Sequence, residues 1–358
     1  MLKQIILWII VVGYAWGCTS THNNNFFSLE KSVKTNAKSL PIDTIGFFEE
    51  LIYARDFWTY QDSILIIRNR KQTDGYFLEL YNLKREKIVS KLFRLGNGPE
   101  EMLSAKIEIN GNMLTANDYV KNQVAFLNID SILQHPEYKA TIVRHYTQSP
   151  TVVQYKENQL LIENPYYFRD DKLGIDNKAP RFIIADKKIP HVENKKYKYY
   201  TRNVSVDGCV ITNYQRNRII YAESHIPKIE IYDTDLNLIK LIEGPDVLPP
   251  DYRIVNDFDQ NEVLFKKGYI PYTYLSYCTD KNFFYLTYMG DYLDVGQNKN
   301  MEDYPMWVFK FDWEGCFIDS YYIGRYVSSI SISSDGDHLY ATAISEEKNP
   351  FLIKLPIK

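Results

Sequence analysis

The sequence predicts an all-β fold, a six-bladed β-propeller of four-stranded antiparallel blades. Three observations carry that expectation. The chain holds 30 Tyr and 18 Phe among 358 residues, together with many Ile and Val, and these side chains favour pleated strands over helices. No long stretch has helical periodicity. A hairpin signal recurs six times along the chain. At 45% hydrophobic and 24% charged, the composition is that of a globular chain able to bury a sizeable core. The formal net charge of -3 supplies no overall field for nucleic acid.

In chain order, Met1-Leu2-Lys3-Gln4 is a short positive start, and Ile5 to Val12 is an unbroken apolar run. This layout predicts a signal peptide over residues 1–17. The run is shorter than the roughly 20 residues a membrane-spanning helix requires. Ala15-Trp16-Gly17-Cys18 resembles a bacterial lipobox, in which a small residue precedes a Cys that is diacylated and becomes the new N-terminus. Cys18 is therefore the expected lipidation site, carrying palmitate-type acyl chains, and the membrane is the expected partner of that lipid. Residues 18–30, with the polar run Thr19 to Asn25, read as the lipidated Cys and a flexible tether. That run carries no acidic cluster of the kind that resembles a surface-export signal. The expectation is an outer-membrane anchor facing the periplasm rather than the cell surface.

Residues 31–358 read as the propeller. Its hairpins turn at Asp62-Ser63, Asn110-Gly111, Glu157-Asn158, Asp207-Gly208, Asp280-Lys281 and Asp335-Gly336. The spacing is about 50 residues, the length of one four-stranded blade, except for one interval of about 73. The excess is assigned to a Pro- and charge-rich insertion at about 245–272, beginning Pro245-Asp246-Val247-Leu248-Pro249-Pro250. A second pair of strands follows each hairpin, as at Ile229 to Asn237 and Val308 to Gly315. The last repeat has strands near Val327 to Ser333, His338 to Ile344 and Phe351 to Ile357, one short of a blade. An N-terminal strand near Lys31 to Leu40 is expected to close the ring and remove the open edges.

Leu95-Gly96-Asn97-Gly98-Pro99-Glu100-Glu101-Met102 resembles the Gly-x-Gly-Pro-Gly-Glu-aromatic turn of bacterial six-bladed propeller lipoproteins. Ser333 to Tyr340 resembles the hairpin of TolB-type propellers, and weaker echoes lie at Glu243-Gly244-Pro245 and Ile323-Gly324-Arg325. The chain departs from the first pattern at Glu100, where the third Gly stands, and at Met102, where an aromatic residue or Leu stands. Resemblance to this TolB-like family implies a propeller, export, and a tendency to serve as a protein-interaction platform.

No catalytic signature emerges. Gly96-Asn97-Gly98 lacks the Lys-Ser/Thr ending of a phosphate loop and reads as a turn between blades. The His residues at 22, 135, 145, 191, 225 and 338 have neither the i, i+4 pair nor the Cys spacing of a zinc site. There is no Gly-x-Ser-x-Gly, and Ser333-Ser334-Asp335-Gly336 matches a sialidase-type turn only in part. Cys209, Cys278 and Cys316 are irregularly spaced and read as small apolar fillers, with one bridge left open. Lys195 to Tyr200 reads as a strand end rather than a nucleic-acid groove. Tyr166-Tyr167-Phe168-Arg169 and Tyr269 to Tyr274 fit either sugar stacking or strand packing. No catalytic, cofactor or metal residue is assigned. The expectation is a cell-envelope binding or scaffolding module with a protein or glycan partner and no nucleic acid. The alternative is a carbohydrate-active hydrolase or lyase, or a lactonase, with its site at the channel mouth.

Overall fold

A computed structural model describes residues 26–46, 54–69, 75–135, 137–144, 149, 151–156, 159–167, 169–170, 175–176, 179–186, 200–201, 208–257, 260–266, 270–293, 303–345 and 350–358. The expected signal peptide, Cys18 and the polar run to Asn25 lie outside the described residues, as do Lys195 to Tyr199, Phe168, Tyr269, His145 and His191.

Six antiparallel sheets form the six blades of a ring. Blade 1 is Ala54–Tyr60, Ile64–Asn69, Tyr76–Asn82 and Lys87–Arg94. Blade 2 is Lys106–Asn110, Met113–Asp118, Gln123–Asn128 and Thr141–Arg144, with a helix over Ile129–Gln134 before its last strand. Blade 3 has three described strands, Val152–Lys156, Gln159–Glu163 and Phe182–Asp186. Blade 4 is Gly208–Asn213, Arg218–Glu223, Lys228–Tyr232 and Leu238–Glu243. Blade 5 is Ile270–Thr279, Phe283–Leu293, Trp307–Asp312 and Phe317–Tyr322. Blade 6 is Val327–Ile332, His338–Ile344 and Pro350–Pro356, completed by Asp43–Gly46.

The first strands of blades 4 and 5, 5 and 6, and 6 and 1 touch one another, which places them at the hub. The turns after the first and third strands share one face of the ring, here the turn face. The blade-to-blade links share the other, here the link face.

Each gap between blades holds its own apolar cluster, because a sheet with two apolar faces must bury both. Leu78, Leu92 and Met102 meet Ile107 and Leu114 between blades 1 and 2. Val124 and Phe126 meet Leu160 and Ile162 between blades 2 and 3. Tyr155 and Phe182 meet Tyr221 and Tyr232 between blades 3 and 4. The rings of Phe284, Tyr288, Phe309 and Phe311 fill the gap between blades 4 and 5 with Ile220 and Ile231. Tyr285, Val308 and Tyr321 meet Leu339, Ile353 and Leu355 between blades 5 and 6. The seam between blades 6 and 1 is the exception in character. Phe57, Leu65 and Ile67 meet Tyr340 and Leu352 there, and hydroxyls do much of the joining. Ser329 Oγ accepts from Phe57 N–H at 3.2 Å, Thr59 Oγ1 donates to Ser331 Oγ at 2.6 Å, and Asp62 accepts from Ser334 N–H at 3.1 Å.

An N-terminal strand does close the ring, but it lies beyond the expected stretch. Asp43–Gly46 pairs antiparallel with Pro350–Pro356, matching Asp43 to Lys354 and Thr44 to Ile353. Residues 31–40 instead form a short helix, Ser32–Thr35, and a two-residue strand, Lys38–Ser39, parallel to Phe317–Tyr322 of blade 5. Pro41 has no N–H to continue that ladder, so the strand ends and the chain crosses to blade 6. The chain also joins the propeller earlier than expected, since Phe26–Ser28 runs parallel to the rim strand Leu238–Glu243 of blade 4. Residues 26–30 therefore belong to the body, with Leu29 buried in the cluster between blades 4 and 5.

One repeat turn is misplaced by the sequence pattern. Asp207-Gly208 does not turn blade 4, because Gly208 opens its first strand and pairs with Glu223. The turn is the 3-10 segment Tyr214–Arg216, capped by the Asn213 side chain and closed by Asn217 at φ 58. Within the expected insertion, Tyr252–Asp257 and Gln260–Phe265 form a hairpin, and Tyr200–Thr201 adds to it in parallel. This small sheet packs on the link face, where the Phe265 ring lies 5.6 Å from His225.

Candidate binding mouth

On the turn face, the ends of four hub strands converge around a cavity of about 860 Å³. Blade 2 contributes Glu108 and Asn110, blade 3 Gln154 to Lys156, blade 4 Thr212 to Gln215, and blade 5 Tyr277 to Lys281 with Trp313 from its outer turn. Most of these side chains arrive there because they sit in the last few residues of a first strand or in the turn that follows it, and Trp313 comes from the turn after the third strand of blade 5. The walls are set by cross-blade bonds. Asn110 Nδ2 donates to Thr212 Oγ1 at 2.7 Å, linking blades 2 and 4. Tyr214 Oη donates to the Gln154 carbonyl at 2.5 Å, and its ring meets Tyr155 edge-on at 5.5 Å. Tyr155 Oη is held in turn by the Thr234 carbonyl.

The floor is a strut across the channel: Tyr277 Oη of blade 5 donates to Glu108 Oε2 of blade 2 at 2.6 Å. Burial pushes the Tyr277 hydroxyl far above its ordinary range, and the Glu108 carboxylate adds to the rise, so it remains a donor. Below the strut a narrower channel of about 160 Å³ continues past Trp58, Lys106 and Ser276. Beside the mouth, Lys281 also borders a second hollow of about 310 Å³ between blades 5 and 6, with Lys310 and Lys358.

The carboxylates of the mouth are already occupied. Glu108 accepts from Tyr277, and Asp280 accepts from the Asn282 and Phe283 N–H groups at 2.6 and 2.8 Å and from Tyr285 Oη at 2.8 Å. Among the described residues, Lys156 and Lys281 are exposed and make no ion pair. Lys156 Nζ lies 4.9 Å from the centre of the Tyr155 ring. Trp313 is 2% exposed, and its Nε1–H finds no acceptor among the described residues.

A second polar constellation lies toward the link face between blades 3 and 4. Arg181 donates to Glu223 at 2.7 Å and to Glu230 at 2.9 Å, and Lys228 meets the same two carboxylates at 2.7 and 3.2 Å. The Arg181 guanidinium lies 3.8 Å from the Tyr167 ring centre and 4.1 Å from that of Tyr221. Burial alone would lower Arg181, but Glu230 and Glu223 outweigh it and raise the group well above its ordinary value. Burial opposes ionisation of Glu230 too, yet Arg181 and Lys228 hold it down at about 2. Glu163, fully buried, is different in kind. Burial pushes it up to about 7, although Lys106 and the Tyr221 hydroxyl, which donates at 2.5 Å, pull it down. Two positive groups balance Glu223 and Glu230, so this knot joins two blades and leaves no charge for a ligand.

The motif residues take structural roles. Glu101 folds its carboxylate into its own turn, accepting from Gly98 N–H at 2.8 Å, while Lys121 caps the Gly98 and Glu101 carbonyls at 2.6 and 2.5 Å. A Cβ at Gly96 would stand 2.0 Å from Glu101 Oε2, so a side chain there would have to displace the Glu101 carboxylate from its place in the turn. Glu100 is exposed, pairs with Lys139 at 2.9 Å and does not take a positive φ, so its backbone does not call for the third glycine, and Met102 fills the apolar place completely. Asp335 accepts from Ser333 Oγ at 2.6 Å and Asp337 N–H at 2.9 Å, and Gly336 takes φ 73, all turn chemistry.

Cys209, Cys278 and Cys316 form no disulfide among the described residues. His225 is buried, with Nδ1 2.9 Å from the Pro271 carbonyl. Tyr274 is wholly buried and Tyr167 packs on Arg181, so neither offers an open stacking face. Among the described residues, no three His, Cys, Asp or Glu side chains converge as a metal site would require. The mouth residues Glu108, Tyr214 and Tyr277 carry no motif. Their signal is positional: each lies at or within a few residues of a first-strand turn.

Comparison with known proteins agrees with this architecture. Residues 56–335 match the TolB-like 6-blade propeller-like family. Among solved structures, a DUF4221 family member from Bacteroides vulgatus is similar at 11% identity and a TM-score of 0.55, covering 89% of this chain and 98% of that one. A putative exported protein from Bacteroides fragilis is similar at 13% identity and a TM-score of 0.50, covering 93% and 99%. At such identities the likeness concerns the fold. No curated protein matches the sequence.

Proposed function

Because the chain belongs to the TolB-like family of six-bladed propellers, we propose that it is an exported, lipid-tethered module that binds a ligand or partner at the mouth on its turn face. The observation that carries the reading is the cavity itself. Side chains from four blades converge there, fixed by cross-blade bonds, around a volume within the roughly 300–1,000 Å³ that organic ligands occupy. In this reading Cys18 carries the acyl chains, and the anchor sits in the outer membrane facing the periplasm. The lipobox-like Ala15-Trp16-Gly17-Cys18 and the lack of an acidic run after it support that placement.

A hydrolase or lactonase at the mouth finds less support. Paired-carboxylate catalysis needs one acid and one base or nucleophile facing the substrate. Glu108 and Asp280 already accept bonds from tyrosine hydroxyls, and Asp280 also from backbone N–H groups.

Two measurements test the proposal. Detergent-phase partitioning of the expressed chain, compared with Cys18→Ser, should move the protein from the detergent to the aqueous phase. Unchanged partitioning would remove the lipid anchor. A thermal-shift screen of small organic ligands should give stabilising hits that disappear in Met113→Trp, which fills the mouth from the blade 2 turn. Hits indifferent to that substitution would place binding elsewhere.

A further inference from the structure

We propose that the mouth takes a small organic anion with an apolar body, its charged group held at the rim by Lys156 and Lys281. The inference rests on the reading of the mouth as a binding site and adds the chemistry of what it holds. The interior is lined by Val153, Val210, Met113 and the half-buried Tyr214, a surface that gains from contact with a hydrocarbon or aromatic skeleton.

The charges decide the sign. Glu108 and Asp280 keep their charge, but each already accepts from a tyrosine hydroxyl within the protein, and Glu108 lies at the floor, away from the rim. Lys156 of blade 3 and Lys281 of blade 5 stand at the rim on either side of blade 4, with no carboxylate partner among the described residues. Lys310, in the adjoining hollow, is 4.1 Å from the Phe283 ring centre rather than on a carboxylate. A cation would meet lysines on the way in and an occupied strut at the bottom. An anion meets two available ammonium groups at the rim, with apolar walls below them for its body.

Two dyes of nearly the same skeleton test this with the full chain: 8-anilinonaphthalene-1-sulfonate, an aromatic anion, and N-phenyl-1-naphthylamine, its uncharged counterpart. The sulfonate should bind saturably, with a blue-shifted emission. The double variant Lys156→Gln/Lys281→Gln changes two exposed side chains and keeps the fold. It should weaken the sulfonate by about tenfold, as loss of charge-assisted bonds implies, and leave the amine within about twofold. Met113→Trp should weaken both. Equal sulfonate affinity in wild type and the lysine variant would overturn the anion assignment while leaving the cavity a binding site. Failure of both dyes to respond to Met113→Trp would remove the mouth itself. If the sulfonate binds, unlabelled aryl carboxylates and aryl phosphates competing against it identify which anionic group fits.

Discussion

At the residue scale, Glu163 makes the stability of this propeller depend on pH. Its carboxyl titrates near 7 in the folded chain because burial disfavours the charge, against about 4.5 when exposed. The folded state therefore binds the proton more tightly, and stability falls as pH rises from about 4.5 through 7, then levels off. Glu230 acts in the opposite sense at the acid end, its contribution being present above about 4.5 and lost as pH falls toward 2. Glu163→Gln keeps an acceptor for Tyr221 and removes the titration. Urea unfolding between pH 5 and 7.5 should show a declining wild-type stability and a nearly flat variant; parallel curves would assign the decline elsewhere. Arg181→Met leaves Glu223 and Glu230 buried with Lys228 alone and is expected to cost about 3–5 kcal/mol in the same assay. None of this knot is legible in the sequence. Arg181 meets Glu223 and Glu230 across 42 and 49 residues, and only the pairing of two blades brings them together.

At the scale of elements, the turns show what local chemistry can and cannot announce. Asn110-Gly111 and Asp335-Gly336 are readable because Gly111 and Gly336 supply φ 60 and 73, which the turns need. Blade 4 hides its turn because Asn217 takes the left-handed position and the Asn213 side chain does the capping. Asp207-Gly208 imitates a turn for another reason: a Cβ at Gly208 would lie 2.5 Å from the Ala222 carbonyl, so this glycine serves a close approach within the sheet. The Gly96–Glu101 pair gives a test by double-mutant cycle. Gly96→Ala forces its new methyl onto Glu101 and should cost about 1–3 kcal/mol. In the Glu101→Ala background the clash is gone, so the same change should cost clearly less; equal costs would mean that Glu101 is not what fixes the glycine.

At the scale of the molecule, the six-fold repeat, the all-β composition and a closing strand from the amino end are legible because periodicity and the missing strand are properties of the chain itself. Which N-terminal residues close the ring is not, since the choice depends on how the segment first crosses blades 4 and 5. The closing role has a direct test. A chain beginning at residue 47 lacks Asp43–Gly46 and exposes the edge of Pro350–Pro356. It should melt at lower temperature and elute from a sizing column as aggregates, the behaviour of an unprotected sheet edge. A monomer with an unchanged melting point would mean that the hydroxyl-rich seam of blades 6 and 1 holds the ring without its fourth strand.

The N-terminal segment also sets how the ring would carry mechanical load. A pull on the proposed tether reaches the body first at Phe26–Ser28, which lies alongside Leu241 to Glu243 in parallel pairing. Force along that axis shears several hydrogen bonds together instead of opening them one at a time. Behind it stands a second catch, Lys34 on Asp246 at 2.7 Å and under the Trp307 ring at 4.3 Å, then Lys38–Ser39 on blade 5, and only last the strand that completes blade 6. Tension is thus taken up in series along the outer rim, and the early catches can slip and re-form as local openings while the ring stays shut. The mouth, built at the hub, lies off that line of force, so drag on the anchor would leave its geometry unloaded.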